Sequence, residues 1–348
     1  MKERQVAVIT VDGRVEMRTQ PMPELKEGMA LIETHATLIS PGTEMNGVKQ
    51  RRAQPPPDAK DYVFGYSAAG EVLELRGAAP HLRPGMRVAA MGGKDEHANY
   101  SCVPVNMLCP IADDLPYEQA CFACLGATAL QAVRRATPEL GEFGAVLGLG
   151  IVGNLAAQLA QLSGARVMAW EGLDFRIDAA RRCGIRQCVN FTRADAPGLT
   201  EQFAAPYGLD FGIMAFGGDA TKTFESLYKC MKLSADGHRM GRVILVGGCT
   251  FAVRGGAGMG NLDVRSSART GPGYHDDAYE YGRDYPAAFV PFTTQRNLRE
   301  ITALMAEKRL LVEPMITHRL PLDQVGRAAD MLIDQPDRTL GVVLAMRH

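Results

Sequence analysis

Between Val146 and Gly153 the chain reads Val-Leu-Gly-Leu-Gly-Ile-Val-Gly, and this spacing of three glycines limits the possible folds more than any other stretch. Ala145 to Leu147 reads as a buried strand, Asn154 to Leu162 as an apolar helix, and Arg166 to Trp170 as a second strand that delivers Glu171. In such a unit Gly148 permits the tight turn, Gly150 lets a pyrophosphate approach the backbone, and Gly153 lets the helix pack on the strand. Ile151 and Val152 open the helix, whose N-terminal N–H groups suit phosphate. A carboxylate about 20 residues after the first glycine accepts both ribose hydroxyls of NAD and repels the 2′-phosphate of NADP. Glu171 therefore points to NAD(H).

With 348 residues and 46% hydrophobic content, the chain is long enough for two domains, each with its own core. Lys+Arg 38 against Asp+Glu 39 leaves a formal net charge of -1, so there is no basic field for nucleic acid or for a membrane surface. No apolar run approaches the roughly 20 residues needed to cross a bilayer, and Met-Lys-Glu-Arg-Gln-Val lacks a signal-peptide core. The expected location is the cytoplasm. Eight cysteines in so long a chain are read as thiols rather than a disulfide framework. Cys102, Cys109, Cys121 and Cys124 are spaced too irregularly for a structural zinc site and read as small buried hydrophobes.

Residues 1–125 are strand-rich, with candidates at Gln5–Thr10, Met29–Leu38, Ser67–Leu75 and Arg87–Met91. Gln50 to Asp58, with two arginines and three prolines, reads as a loop. From residue 126 strands alternate with helices, which predicts a doubly wound nucleotide-binding domain over 126–290. That span includes a tyrosine-rich segment, 269–290. A helix from Thr294 and strands near Met315–Arg319 and Gly341–Met346 predict that 291–348 return to complete the first domain.

Four further motifs accompany the glycine pattern: Gly85-Met-Arg-Val88, Val103-Pro-Val-Asn-Met-Leu108, Gly126-Ala-Thr-Ala129 and Gly241-Arg-Val-Ile-Leu-Val-Gly247. Together they resemble the medium-chain dehydrogenase/reductase superfamily over nearly the whole chain. The resemblance implies an α/β protein, a GroES-like β domain plus a doubly wound Rossmann domain. It also implies that Thr128 lies near the nicotinamide, Arg176 near the adenosine ribose, and Phe216, Gly217, Val246 and Gly247 along the cofactor cleft. Zinc-dependent members hold the metal with a Cys, a His and a second Cys or an acid. Here Ser40-Pro-Gly-Thr-Glu44 stands where the family has Cys and then G-T-D, and Gly65-Tyr-Ser67 stands where it has G-H-E. Only Cys124 remains, and one thiolate cannot hold Zn²⁺. The structural zinc lobe is absent as well, so no metal is expected.

Without zinc, side chains must stabilise the developing oxyanion and exchange its proton. His97, in the loop before a strand, is the first candidate, because histidine titrates near neutrality. Tyr66 is the second, standing in place of the family's zinc-binding His, and Lys94 the third. Thr43 matches the family's relay hydroxyl, whereas Glu44 is read as a structural ion-pair member. Arg269, Tyr274, Tyr279 and Tyr285 offer donors and flat faces for a polyhydroxylated ring, although the same segment also reads as an arm between subunits. The features resemble a zinc-lacking branch associated with sugars and cyclitols. The expectation is a zinc-independent, NAD-dependent dehydrogenase interconverting a secondary alcohol and a ketone on such a small molecule, in a homodimer or homotetramer. The alternatives are an NAD(P)H-dependent alkene or quinone reductase, a bacteriochlorophyllide-type hydroxyethyl dehydrogenase, and a catalytically silent NAD-binding protein.

Overall fold

A computed structural model describes residues 3–92, 97–253 and 255–346. The chain divides into two compact units, Met1–Ala127 with Thr270–His348, and Thr128–Arg269.

In the first unit, alternation decides which face of each strand is buried. Along Met29–Leu38 the residues Ala30, Ile32, Thr34 and Ala36 turn inward, as a half-buried strand requires. This strand lies inside a seven-stranded sheet whose path runs Ile316–Pro321, Gly341–Ala345, Met29–Leu38, Ser67–Arg76, Arg87–Met91 and Leu108–Pro110, with Tyr100–Pro104 also paired to Met29–Leu38. The strand Gly341–Ala345 pairs antiparallel with Thr37 and Leu38, so this late strand lies in the first unit's sheet. A smaller sheet joins Val15–Pro21, Glu3–Ile9 and Tyr62–Val63. Ile9, Ile39, Met45, Phe64, Val325 and Leu344 belong to one apolar core beneath it.

Two sequence expectations are corrected in this unit. The stretch from Gln50 is not all loop, because Gln50–Ala53 finish a helix, Thr43–Ala53. Few of its residues are apolar, and its anchors are tertiary. Arg51 donates to the carbonyls of Thr10 and Lys60, and Arg52 pairs with Asp330 at 2.7 Å. The tyrosine-rich segment, expected in the nucleotide domain, belongs from Thr270 onward to the first unit. Asn106 Nδ2 donates to the Tyr279 carbonyl at 2.7 Å, and Tyr279 is buried. Sequence adjacency to the last nucleotide-domain strand suggested otherwise, but burial of this large ring decides the packing.

The second unit is an open parallel sheet in the order Cys188–Asn190, Arg166–Glu171, Phe143–Leu147, Phe211–Met214, Met240–Leu245 and Asn261–Ser266. Phe143–Leu147 is wholly buried, as expected for a central parallel strand. The first crossover carries the chain one way and a later one carries it back, so the strand order reverses between Phe143–Leu147 and Phe211–Met214. Ligands of such sheets bind at the carboxyl ends beside that reversal. No helix among the described residues is long and apolar enough to cross a membrane.

Candidate active site

The glycine turn has the geometry its spacing predicts. Gly148 has φ +89°, which glycine adopts without penalty, and a Cβ on Gly153 would fall 1.8 Å from the Gly148 carbonyl oxygen. A Cβ on Gly150 would meet nothing within 4 Å, so this backbone faces open space. Helix Ile151–Leu162 starts there with Gly150 at its N-cap and no side-chain cap. Ile151, Val152 and Gly153 form its first turn, where N–H groups have no partner within the helix.

Glu171 ends the next strand and is buried. Its Oε2 accepts the Leu149 N–H at 2.7 Å, and its Oε1 accepts those of Gly172 at 2.7 Å and Leu173 at 3.2 Å. The carboxylate is thus aimed across the glycine turn. Arg176 Nη1 lies 3.7 Å from Oε2. Both residues line a cavity of about 610 Å³, together with Trp170, Phe191, Phe216 and Lys222. The Trp170 ring is fixed by its Nε1–H, which donates to Thr200 Oγ1 at 2.8 Å. Phe216 and Gly217 follow the strand Phe211–Met214, and Val246 and Gly247 follow the strand Met240–Leu245. The N–H groups of Val246 and Gly247 both donate to the Met214 carbonyl, at 3.1 and 3.2 Å. Thr128 is half-buried on helix Ala123–Ala136.

A second cluster lies in the first unit. The Tyr66 phenol is half-buried and hydrogen-bonded with the hydroxyls of Ser40 and Thr43, and it also faces Glu44 and Cys124. Burial, the Glu44 carboxylate and the Cys124 thiol hold this phenol well above the usual tyrosine range, while the two hydroxyls pull it down. Thr43 is exposed and Ser40 buried. Ser40 was not singled out from the sequence. Its place in the Ser-Pro-Gly-Thr-Glu motif was the available signal.

The other candidates are placed differently. His97, expected as the first acid–base candidate in the loop before a strand, is fully buried. Its Nδ1 lies 2.8 Å from Thr37 Oγ1 and its Nε2 lies 3.3 Å from the Glu44 carboxylate, so neither ring nitrogen is left for a substrate. Lys94 lies outside the described residues. Tyr279 and Tyr285 stack at 4.9 Å, and Tyr285 donates to Asp276. These contacts hold the two rings within their own segment. Tyr274 differs, since it lies against Gly92, whose N–H donates to the Tyr66 carbonyl at 3.1 Å. The segment thus brings one tyrosine to the turn beside Tyr66. Arg269 is exposed at the last position of the second unit.

No protein-family model matches the chain. An alcohol dehydrogenase from Cupriavidus necator is 24% identical over 386 aligned positions, covering 97% of each chain. Two solved structures share the fold. An alcohol dehydrogenase from Thermus sp. ATN1 has a TM-score of 0.77 at 20% identity, covering 99% of this chain and 100% of its own. Galactitol-1-phosphate dehydrogenase from Escherichia coli has a TM-score of 0.78 at 18% identity, covering 98% of this chain and 99% of its own. Along its whole length the chain is similar to medium-chain dehydrogenases/reductases.

These relatives support an oxidoreductase of the alcohol dehydrogenase type with a nicotinamide cofactor, on a fold of GroES-like and Rossmann domains. Its Rossmann residues fit the dinucleotide, because the open backbone at Gly150 and the fixed Glu171 match the pyrophosphate and ribose in turn. The donor set at Ser40, Tyr66 and Cys124 does not fit Zn²⁺. A hydroxyl and a high-titrating phenol are poor zinc ligands, and one thiol falls short of the three protein ligands a catalytic site needs. Among the described residues no group of three or more His, Cys, Asp or Glu could hold a metal ion. Burial pushes the Cys109 thiol up to about 11.

The elevated Tyr66 phenol carries a stability consequence. It keeps its proton in the folded chain after the unfolded chain's tyrosines begin to ionise at about pH 10. Its contribution is therefore fully present below that pH and drains away as pH rises toward the folded value. Urea midpoints measured at about pH 8 and about pH 10.5 should fall less with pH in Tyr66→Phe than in the parent.

Proposed function

We propose that this protein is a zinc-independent, NAD-dependent dehydrogenase that interconverts a secondary alcohol and a ketone on a polyhydroxylated small molecule, a sugar or a cyclitol. The observation that carries this reading is the Tyr66 phenol, hydrogen-bonded with Ser40 and Thr43 where zinc-dependent relatives keep metal ligands. When bound, NAD(H) supplies or takes up the hydride. Reduction leaves negative charge on the substrate oxygen, and the Tyr66 O–H stabilises it by donating a hydrogen bond and then the proton. Thr43, exposed and in contact with Tyr66, returns a proton from water. In the alcohol-oxidising direction the same path carries the proton outward. Tyr274, beside the Tyr66 turn, offers a further hydroxyl suited to a polyol.

Glu171 supports NAD over NADP through its buried, fixed carboxylate. The reading also includes a dimer through the exposed edge strand Asn261–Ser266, and a monomer by light scattering would remove that part.

Titration with NADH and NADPH separately tests the cofactor, because Trp170 lines the Glu171 cavity. Quenching of its emission by NADH at much lower concentration than NADPH is expected, and the reverse order would overturn the NAD assignment. A polyol, ketose and cyclitol screen with NAD(H) follows, together with a metal assay of the purified protein. Substoichiometric zinc and activity that survives chelation are expected. One tightly held zinc per chain would overturn the mechanism.

A further inference from the structure

We propose that the buried Glu44–His97 pair is a positioning device that sets the Tyr66 phenol against its hydroxyl partners, an inference that rests on Tyr66 being the proton donor. His97 joins elements far apart in sequence. Its carbonyl accepts the Ala7 N–H at 2.9 Å, which ties its backbone to the strand Glu3–Ile9. Its ring reaches Thr37 Oγ1 at 2.8 Å on one side and Glu44 on the other. Nε2 lies 3.3 Å from both Glu44 oxygens, with hydrogen-bond geometry to Oε2 only. With its hydrogen on Nε2 the ring donates to Glu44 Oε2 and accepts from the Thr37 hydroxyl at Nδ1.

Glu44 passes this constraint to the turn that surrounds Tyr66. Its Oε2 accepts the Ser40 N–H at 2.6 Å while its own N–H donates to the Ser40 carbonyl at 3.2 Å. The two bonds close the segment Ser40–Glu44, which carries both hydroxyls that meet Tyr66. The other side is gripped as well. Phe64, two residues before Tyr66, packs edge-on against the His97 ring with centroids 4.9 Å apart. One buried imidazole therefore fixes both the hydroxyl turn and the stretch that presents the phenol. The remaining Glu44 oxygen is buried without a hydrogen bond. A fold seeking stability alone gains little from such a group, whereas a site that must hold hydroxyls to within a fraction of an ångström gains rigidity.

A double-mutant cycle tests this, using Tyr66→Phe, His97→Phe and the combination, with circular dichroism for folding and Trp170 quenching for NADH affinity. His97→Phe keeps the aromatic packing and deletes both ring contacts. We expect kcat to fall on the order of 10²-fold with NADH affinity unchanged, and His97→Gln, which restores a donor to Glu44, to recover most of it. In the Tyr66→Phe background the same replacement should cost less than about twofold, because coupled residues are not additive. Full additivity, or parent-like kcat in His97→Phe, would overturn the positioning role while leaving Tyr66 as donor. Parent-like kcat in Tyr66→Phe would instead remove the donor reading itself. If His97→Phe fails to fold, Thr37→Val and Glu44→Gln enter the same cycle and are read by the same criteria.

Discussion

Replacing Tyr66 with phenylalanine is expected to lower kcat by roughly 10²–10⁴-fold, the usual range for loss of a positioned acid–base group, at unchanged affinity for NADH. The substitution deletes one oxygen and leaves the ring, so the half-buried packing of this side chain is kept. What disappears is a phenolic O–H donor in contact with the exposed Thr43. Ser40 and Thr43 remain, but an aliphatic hydroxyl is a weaker acid than a phenol, and Ser40 is buried. The loss should therefore appear in kcat and kcat/KM together, the pattern of an interaction made in the transition state. Steady-state kinetics on the best substrate from the polyol screen, with cofactor affinity taken from Trp170 quenching, measures it. A Tyr66→Phe enzyme with parent kcat would transfer the proton-donor role elsewhere.

The second large effect is expected at the cofactor. Glu171→Ser should raise the dissociation constant of NADH about tenfold to 10²-fold and move selectivity toward NADPH. Hydrogen bonds to a charged acceptor contribute about 1.5–3 kcal/mol each, and both Glu171 oxygens are fixed in place by backbone N–H groups before any ligand arrives. Loss of the carboxylate removes the ribose acceptor and the repulsion of a 2′-phosphate at once. It also frees Arg176, which now lies 3.7 Å from the carboxylate, to meet that phosphate. Parallel titrations of the variant with both reduced cofactors read the change, and unchanged discrimination would show that Glu171 does not set it.

The parts of this fold visible in the sequence are those with local causes. Met29–Leu38 and Arg87–Met91 were read with their observed bounds, since an apolar or alternating run between turns needs no distant partner to be recognised. The helix Thr43–Ala53 was partly misread as loop because its stability comes from Arg51 and Arg52 reaching other elements. The tyrosine-rich segment was given to the neighbouring unit because nothing local tells which core will bury Tyr279. Position in the motif placed Tyr66 and Thr43 among the candidates. It ranked His97 first for its intrinsic titration, a property that says nothing about exposure.

By itself the sequence determined the strand–turn–helix–strand unit that carries three glycines, a helix start and Glu171, because its geometry follows from backbone sterics. It also set the expectation of a zinc-independent site, from the residue types at the positions matching the zinc ligands. Only the tertiary structure decided how the remaining polar groups divide their work. Burial is a property of the whole packing, and it took His97 out of reach of solvent while leaving Thr43 exposed beside Tyr66. Hydrogen bonds between Thr37, His97, Glu44 and Ser40 join four positions spread over 60 residues of chain. No local pattern encodes such a link, because it exists only where separate strands and a helix start are brought together around one imidazole.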